Sequence, residues 1–194
     1  MSKKNIILCF ILLLKFVLQY ALISTEYDLH RDEYLYLDQA NHLAWGYLSV
    51  PPVTSWFSYI ILLLGKSVFW VRFFPALFGA LTILIVWKTT ELLGGNLFAL
   101  ILSATAILLS ALLRLNLLYQ PNSIDVLCWA LFYYCLIQFI YSNKDKWLLI
   151  AAVVFAFGFL NKYNVLFMAM GLFPALLITK QRKIFAGKHL YYAA

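Results

Sequence analysis

Charge is scarce in this chain. Only 12% of its 194 residues are Asp, Glu, Lys or Arg, and just 8 of them are acidic. Soluble domains carry about twice that share. With 64% hydrophobic residues and a mean hydropathy of +0.86, the composition excludes a water-soluble globular domain and predicts an integral membrane protein. Cysteine is nearly missing as well. Cys9, Cys128 and Cys135 lie inside apolar runs, and the last two, seven apart on one helix face, can neither bridge each other nor form a metal site. They read as small packing residues. Glycine is sparse, and the "GGN" at 94–96 is no phosphate-cradling G-x-G-x-x-G loop. His30 and His42 lack ligand spacing, which argues against zinc, and no Ser-His-Asp arrangement follows from spacing. The net charge of +7 is scattered through short loops, so it points to membrane topology and not to nucleic acid.

What the chain has instead is apolar length and aromatic rings, with 16 Phe, 13 Tyr and 6 Trp. Apolar runs at about 6–23, 69–87, 97–113, 124–141, 147–160 and 165–179 approach the length that crosses a ~30 Å hydrocarbon core, and 189–194 reads as the start of another helix. The first run follows "MSKK" and lacks a small-residue cleavage site, so it is expected to stay as a signal anchor. Residues 53–64 would reach only about 18 Å as a helix, too short to span. If that piece lies along the interface and the N-terminus is cytoplasmic, then Lys3, Lys4, Lys88, Lys144, Lys146, Lys180, Arg182, Lys183 and Lys188 share the cytoplasmic side. Only Glu91 and Asp145 accompany them there. Glu26, Asp28, Asp32, Glu33, Asp38 and Asp125 then gather on the outer side, periplasmic in a bacterium and luminal in a eukaryote.

The outer loop, 24–68, is expected to hold two surface helices, about 32–45 and 53–64, joined at the Pro51-Pro52 corner. Tyr36, Ala40 and Leu43 make an apolar stripe, while Asp38 and His42 point the other way. Asp32 and Glu33 open the first helix, where the dipole favours carboxylates. Glu33 falls within the apolar arc, a poor place for a charge unless something binds it. A solvated helix start explains the pair blandly. A carboxylate at a bundle mouth can also take a proton from a hydroxyl nucleophile. Arg31, Lys66, Arg72, Arg114 and Lys162 are available on that side, by default as headgroup anchors, and together as holders of a lipid phosphate. The shortness of the fifth run draws "NKYN", 161–164, toward the headgroups, with Lys162 at phosphate depth, where a snorkelling lysine is the ordinary reading. Asp125, after Pro121, is either a helix-start acid or a second carboxylate facing the pocket. Lys15, inside the first run, is expected to face the bundle or snorkel, and carries no assigned chemistry.

"LHRDEYLYLDQANHLAWGYLSVPP", "VRFFPALFGALTILIVW" and "GFLNKYNVLF", in that order, resemble the N-terminal half of bacterial membrane glycosyltransferases similar to the dolichyl-phosphate-mannose protein mannosyltransferases. The aminoarabinose transferases that modify lipid A share this GT-C architecture. The resemblance implies an all-α polytopic bundle with two juxtamembrane helices in its first outer loop. It implies a glycosyltransferase moving a sugar from a polyprenyl-phosphate donor to an acceptor hydroxyl on the periplasmic or luminal face, with inversion. Asp32 is implied as the base, with Glu33 as its catalytic neighbour. Lys162 and, less directly, Arg72 are implied as phosphate contacts, and Tyr163, Asp125 and His42 complete the expected substrate-binding set. Relatives are longer, so the chain is expected to be an N-terminal portion of such an enzyme. No cofactor or nucleotide is implied, a divalent metal stays open, and the partners are the bilayer, the donor and an unspecified acceptor. In a bacterium the expected location is the inner membrane. A flippase for lipid-linked glycans would place charges at the bilayer midplane in paired halves. A non-catalytic assembly subunit is the other alternative.

Overall fold

The computed structural model describes residues 2–23, 29–48, 50–180, 182 and 185, and all regular structure among them is helical. Glu26, Asp28, Lys183, Lys188 and the helix start expected at 189–194 lie outside the described residues. In chain order the helices are α1 (Lys3–Ala21), α2 (Arg31–Gln39), α3 (Val53–Leu63), α4 (Val68–Leu92), α5 (Leu97–Leu108), α6 (Ala111–Leu115), α7 (Pro121–Ser142), α8 (Lys146–Asn161) and α9 (Val165–Ile178).

Three helices, α1, α4 and α7, are long and apolar enough to cross a bilayer, whereas α3, α5, α8 and α9 are apolar but shorter. Their pattern is the reverse of a soluble protein's. Along α1, Ile6, Phe10, Leu13 and Val17 are exposed, while Leu8, Ile11, Lys15 and Gln19 form the buried stripe. Phe167 and Met170 on α9 are likewise exposed. Large apolar groups outside and polar groups inside suit a hydrocarbon solvent, in which an unsatisfied polar group is costly. The protein is an all-α membrane protein.

Two expected elements stop well short of their expected extent. The 97–113 run is not one helix. It breaks at Leu109, and Ser110 starts α6 by accepting the Leu112 N–H on its hydroxyl at 3.2 Å. The surface helix expected to reach residue 45 ends at Gln39, because the Tyr47 hydroxyl folds back to within 3.0 Å of the Gln39 carbonyl and 3.1 Å of the His42 carbonyl. Leu43 therefore leaves the apolar stripe and is exposed, while Tyr36 and Ala40 remain buried.

Helix α4 sits centrally: α1 runs along its length, from the Lys4–Glu91 pair to the stacked Tyr20 and Phe69 rings, and α4 shares two packed regions, one with α1 and α5 and one with α3 and α7. The first region closes around Ile83, Trp87 and Leu100, the second around Val53, Val71, Phe74 and Ile124. Between them lies a buried polar junction. Lys15 Nζ donates to Gln19 Oε1 at 2.6 Å, Gln19 Nε2 donates to the Asn116 carbonyl at 2.6 Å, and Ser123 Oγ donates to Asn116 Oδ1 at 2.9 Å. Of the two expectations for Lys15, facing the bundle or snorkelling, the structure has the first, with the residue only 2% exposed. Gly79 of α4 makes room for this junction, since a Cβ there would collide with the Asn116 amide and come within 2.7 Å of Lys15 Cε. Gly79→Ala is expected to destabilise the protein by about 1–3 kcal/mol through overpacking, read as a lower unfolding midpoint in detergent. Cys128 fills a similar close contact, where a Cβ on Gly158 of α8 would meet its own at 3.3 Å, in keeping with a packing role.

Candidate active site

The short helix α2 is held at its start by an exchange of caps. His30 Nδ1 accepts the Asp32 N–H at 3.3 Å, and Glu33 Oε2 accepts the His30 N–H at 2.7 Å. The other Glu33 oxygen, Oε1, accepts from Arg72 Nη1 and from the Tyr119 N–H, the latter at 2.6 Å. Arg72 Nη1 also donates to the Leu117 carbonyl at 2.7 Å. Glu33 is wholly buried and Arg72 nearly so. The charge that stood badly in an apolar arc thus has a buried partner, and together they clamp α2 to α4 and to the chain entering α7.

Tyr119 reinforces that clamp. Its hydroxyl donates to the Thr54 carbonyl at 2.7 Å and accepts from Ser58 Oγ at 3.0 Å, tying α3 to the same entry. Burial raises its phenol above the ordinary value, and burial followed by the negative charge of Asp32 raises that of Tyr36. Both therefore stay protonated at neutral pH and act as hydroxyl groups rather than bases.

These contacts turn Asp32, one position before Glu33, toward a cavity of about 690 Å³. Three helix starts meet there, from α2 with Asp32, α7 with Pro121 and Asn122, and α9 with Asn164. Lys162 and Tyr163, in the α8–α9 link, line the same cavity. Its far wall is apolar, made by Leu166, Phe167 and Met170 of α9. Asp32 is about one-third exposed and is approached by Arg31 Nε at 3.5 Å and His30 Nδ1 at 3.7 Å. Gln120 Nε2 donates to Asp32 Oδ2 at 3.0 Å, and Lys162 Nζ donates to Asn122 Oδ1 at 2.8 Å.

Of the residues expected at the site, Asp32, Lys162 and Tyr163 come together on one cavity, although 130 positions separate Asp32 from Lys162 in the sequence. Glu33 and Arg72 are paired behind it. Asp125 is buried beneath, where Oδ2 accepts from Asn164 Nδ2 at 2.8 Å and Oδ1 has no hydrogen-bond partner among the described residues. His42 is exposed in the turn after α2, away from the residues that wall the cavity. No three His, Cys, Asp or Glu among the described residues gather as a metal-binding group.

Four amide side chains at the site escaped sequence reasoning: Gln120, Asn122, Asn161 and Asn164. Asn161 is fully buried, accepting from Thr54 Oγ1 at 3.2 Å and donating to the Pro121 carbonyl at 2.9 Å, so it locks the end of α8 to the starts of α3 and α7. Their available signal was position, since "YQPN" and "NKYN" flank apolar helices, where an amide must find a partner in the protein.

No curated protein and no solved structure matches the chain. A family model described as dolichyl-phosphate-mannose-protein mannosyltransferase matches residues 49–194, which include the α7 start and the α8–α9 link but not Asp32. That match makes the chain a glycosyltransferase of the GT-C kind in a bilayer setting, with a lipid-linked sugar donor implied. The helical bundle, its inverted polarity and this match over three-quarters of the sequence agree: the chain belongs to the dolichyl-phosphate-mannose-protein mannosyltransferase family.

Proposed function

We propose that the protein transfers a sugar, with mannose the first to test, from a polyprenyl-phosphate carrier to an acceptor hydroxyl, with Asp32 as general base. The observation that carries this reading is the make-up of one cavity: a carboxylate, an ammonium and an apolar wall that runs onto the exposed face of α9 through Phe167 and Met170. A lipid phosphate sugar has the complementary parts. Its chain would lie along α9 and its phosphate at Lys162, supported by the starts of α7 and α9, whose backbone dipoles favour anions. The sugar would then sit between Lys162 and Asp32.

In the proposed reaction Asp32 takes the proton of the acceptor hydroxyl as its oxygen attacks the anomeric carbon from the side opposite the carrier. The bond from that carbon to the phosphate oxygen breaks, the lipid phosphate leaves with the electron pair, and the configuration inverts. Lys162 offsets the charge that grows on the leaving phosphate. Glu33 and Arg72 fill positioning roles, fixing the helix that carries Asp32, and Asp125 orients Asn164 on the cavity wall. The charge distribution supports a cavity facing away from the cytosol, which in a bacterium is the periplasmic side of the inner membrane.

Polyprenyl monophosphate binding by the full chain in lipid nanodiscs tests the phosphate site. Lys162→Gln is expected to weaken it roughly ten- to a hundredfold, the range for losing a hydrogen bond to a charged group. Equal affinity in both proteins would remove Lys162 from this role.

A further inference from the structure

Gln120 immediately precedes α7, whose first residue is proline and has no N–H, and the Gln120 side chain makes no capping bond to its own helix. Its amide bridges instead. Lys162 Nζ donates to Asn122 Oδ1 at 2.8 Å, Asn122 Nδ2 donates to Gln120 Oε1 at 3.0 Å, and Gln120 Nε2 donates to Asp32 Oδ2 at 3.0 Å. The ends dictate the direction of this run. An ammonium can only donate and a carboxylate can only accept, so each amide has one orientation that satisfies both neighbours. Turning Gln120 over would set its oxygen against the Asp32 carboxylate. Turning Asn122 over would set its NH2 against the Lys162 ammonium.

We propose that Gln120 and Asn122 are positioning residues through which occupancy of Lys162 is sensed at Asp32, an inference that rests on the phosphate-site reading above. A phosphate offers Lys162 a charged acceptor, which forms a shorter and roughly twice stronger hydrogen bond than the neutral Asn122 carbonyl. Once Lys162 turns to the phosphate, Asn122 Oδ1 loses its donor, and the run of amides is anchored at the Asp32 end alone. Asp32 Oδ2 then exchanges its amide partner for the acceptor hydroxyl. Binding is ordered as a result: the carrier enters first, and the base is released only when there is a sugar to transfer.

Difference infrared spectroscopy on the full chain in nanodiscs tests this, with polyprenyl monophosphate as the probe. Subtracting the Asp32→Asn spectrum assigns the Asp32 carboxylate stretch. In the wild type that band is expected to shift on lipid addition. In Gln120→Met, which keeps side-chain length without donor or acceptor, the lipid still binds through Lys162, but the band is displaced beforehand and does not move. Gln120→Asn, one methylene too short to bridge, is expected to behave the same way and serves as the second variant if the first folds poorly. A lipid-induced shift of wild-type size in either folded variant overturns the inference, as does a wild-type band that stays still while the lipid binds in a Lys162-dependent manner; in both cases the phosphate site stands. Lipid binding indifferent to Lys162→Gln sinks the phosphate site and this inference with it.

Discussion

Asp32→Asn is expected to lower sugar transfer by a factor of roughly 10²–10⁴, the usual contribution of a positioned general base. Affinity for the carrier phosphate is expected to stay close to that of the wild type. Asn has nearly the same shape as Asp, and its carbonyl oxygen can still accept the Gln120 N–H that reaches Asp32 Oδ2 at 3.0 Å. What it cannot do is take the acceptor proton. The measurement is transfer from radiolabelled polyprenyl-phosphate mannose in membranes holding the full-length protein, wild type beside variant. Equal rates would strip Asp32 of the base role. Movement of the labelled lipid across the membrane, with no transfer in either protein, would favour a flippase.

Stability should respond most to Glu33. Its carboxylate is fully buried, and it accepts from Arg72, from the Tyr119 N–H and from the His30 N–H. Glu33→Ala takes from the buried Arg72 guanidinium the carboxylate it pairs with and leaves two backbone donors without their acceptor. A loss of about 3–5 kcal/mol is expected, as for other buried pairs broken from one side. Arg72→Met should be similarly damaging alone, because it strands the carboxylate. Combining Glu33→Gln with Arg72→Met removes both charges and keeps volume and length, so its loss is expected to be clearly smaller than the sum of the losses from Glu33→Gln and Arg72→Met taken singly. Thermal or denaturant unfolding of the purified chain in one detergent provides the comparison. Additivity within about 0.5 kcal/mol would show that the two residues do not act as a unit.

The two acids at the start of α2 illustrate how far a linear reading reaches. Adjacent carboxylates on a helix differ by about 100° in direction, so one can face a cavity while the other enters the core. Glu33 was recognisable as misplaced within an apolar arc, and Arg72 as a cation at the head of a span, yet neither pattern says that they meet. Nor does local sequence reveal that Asp32 and Lys162 share a cavity. The extent of α2 was misread because the chain folds back after Gln39, bringing the Tyr47 hydroxyl onto the Gln39 carbonyl and onto the His42 carbonyl beyond the helix, and periodicity does not record such a fold-back.

Apolar length and scarce charge were enough for the bilayer and for the all-helical class, because hydrocarbon forbids unsatisfied backbone and exposed charge wherever they occur in a chain. Which polar side chains work together was settled only in three dimensions. Asp32, Gln120, Asn122 and Lys162 come from three separate stretches, and their partnership depends on how α2, α7 and the α8–α9 link dock. Hydrogen bonds act over about 3 Å, and sequence distance carries no information at that range.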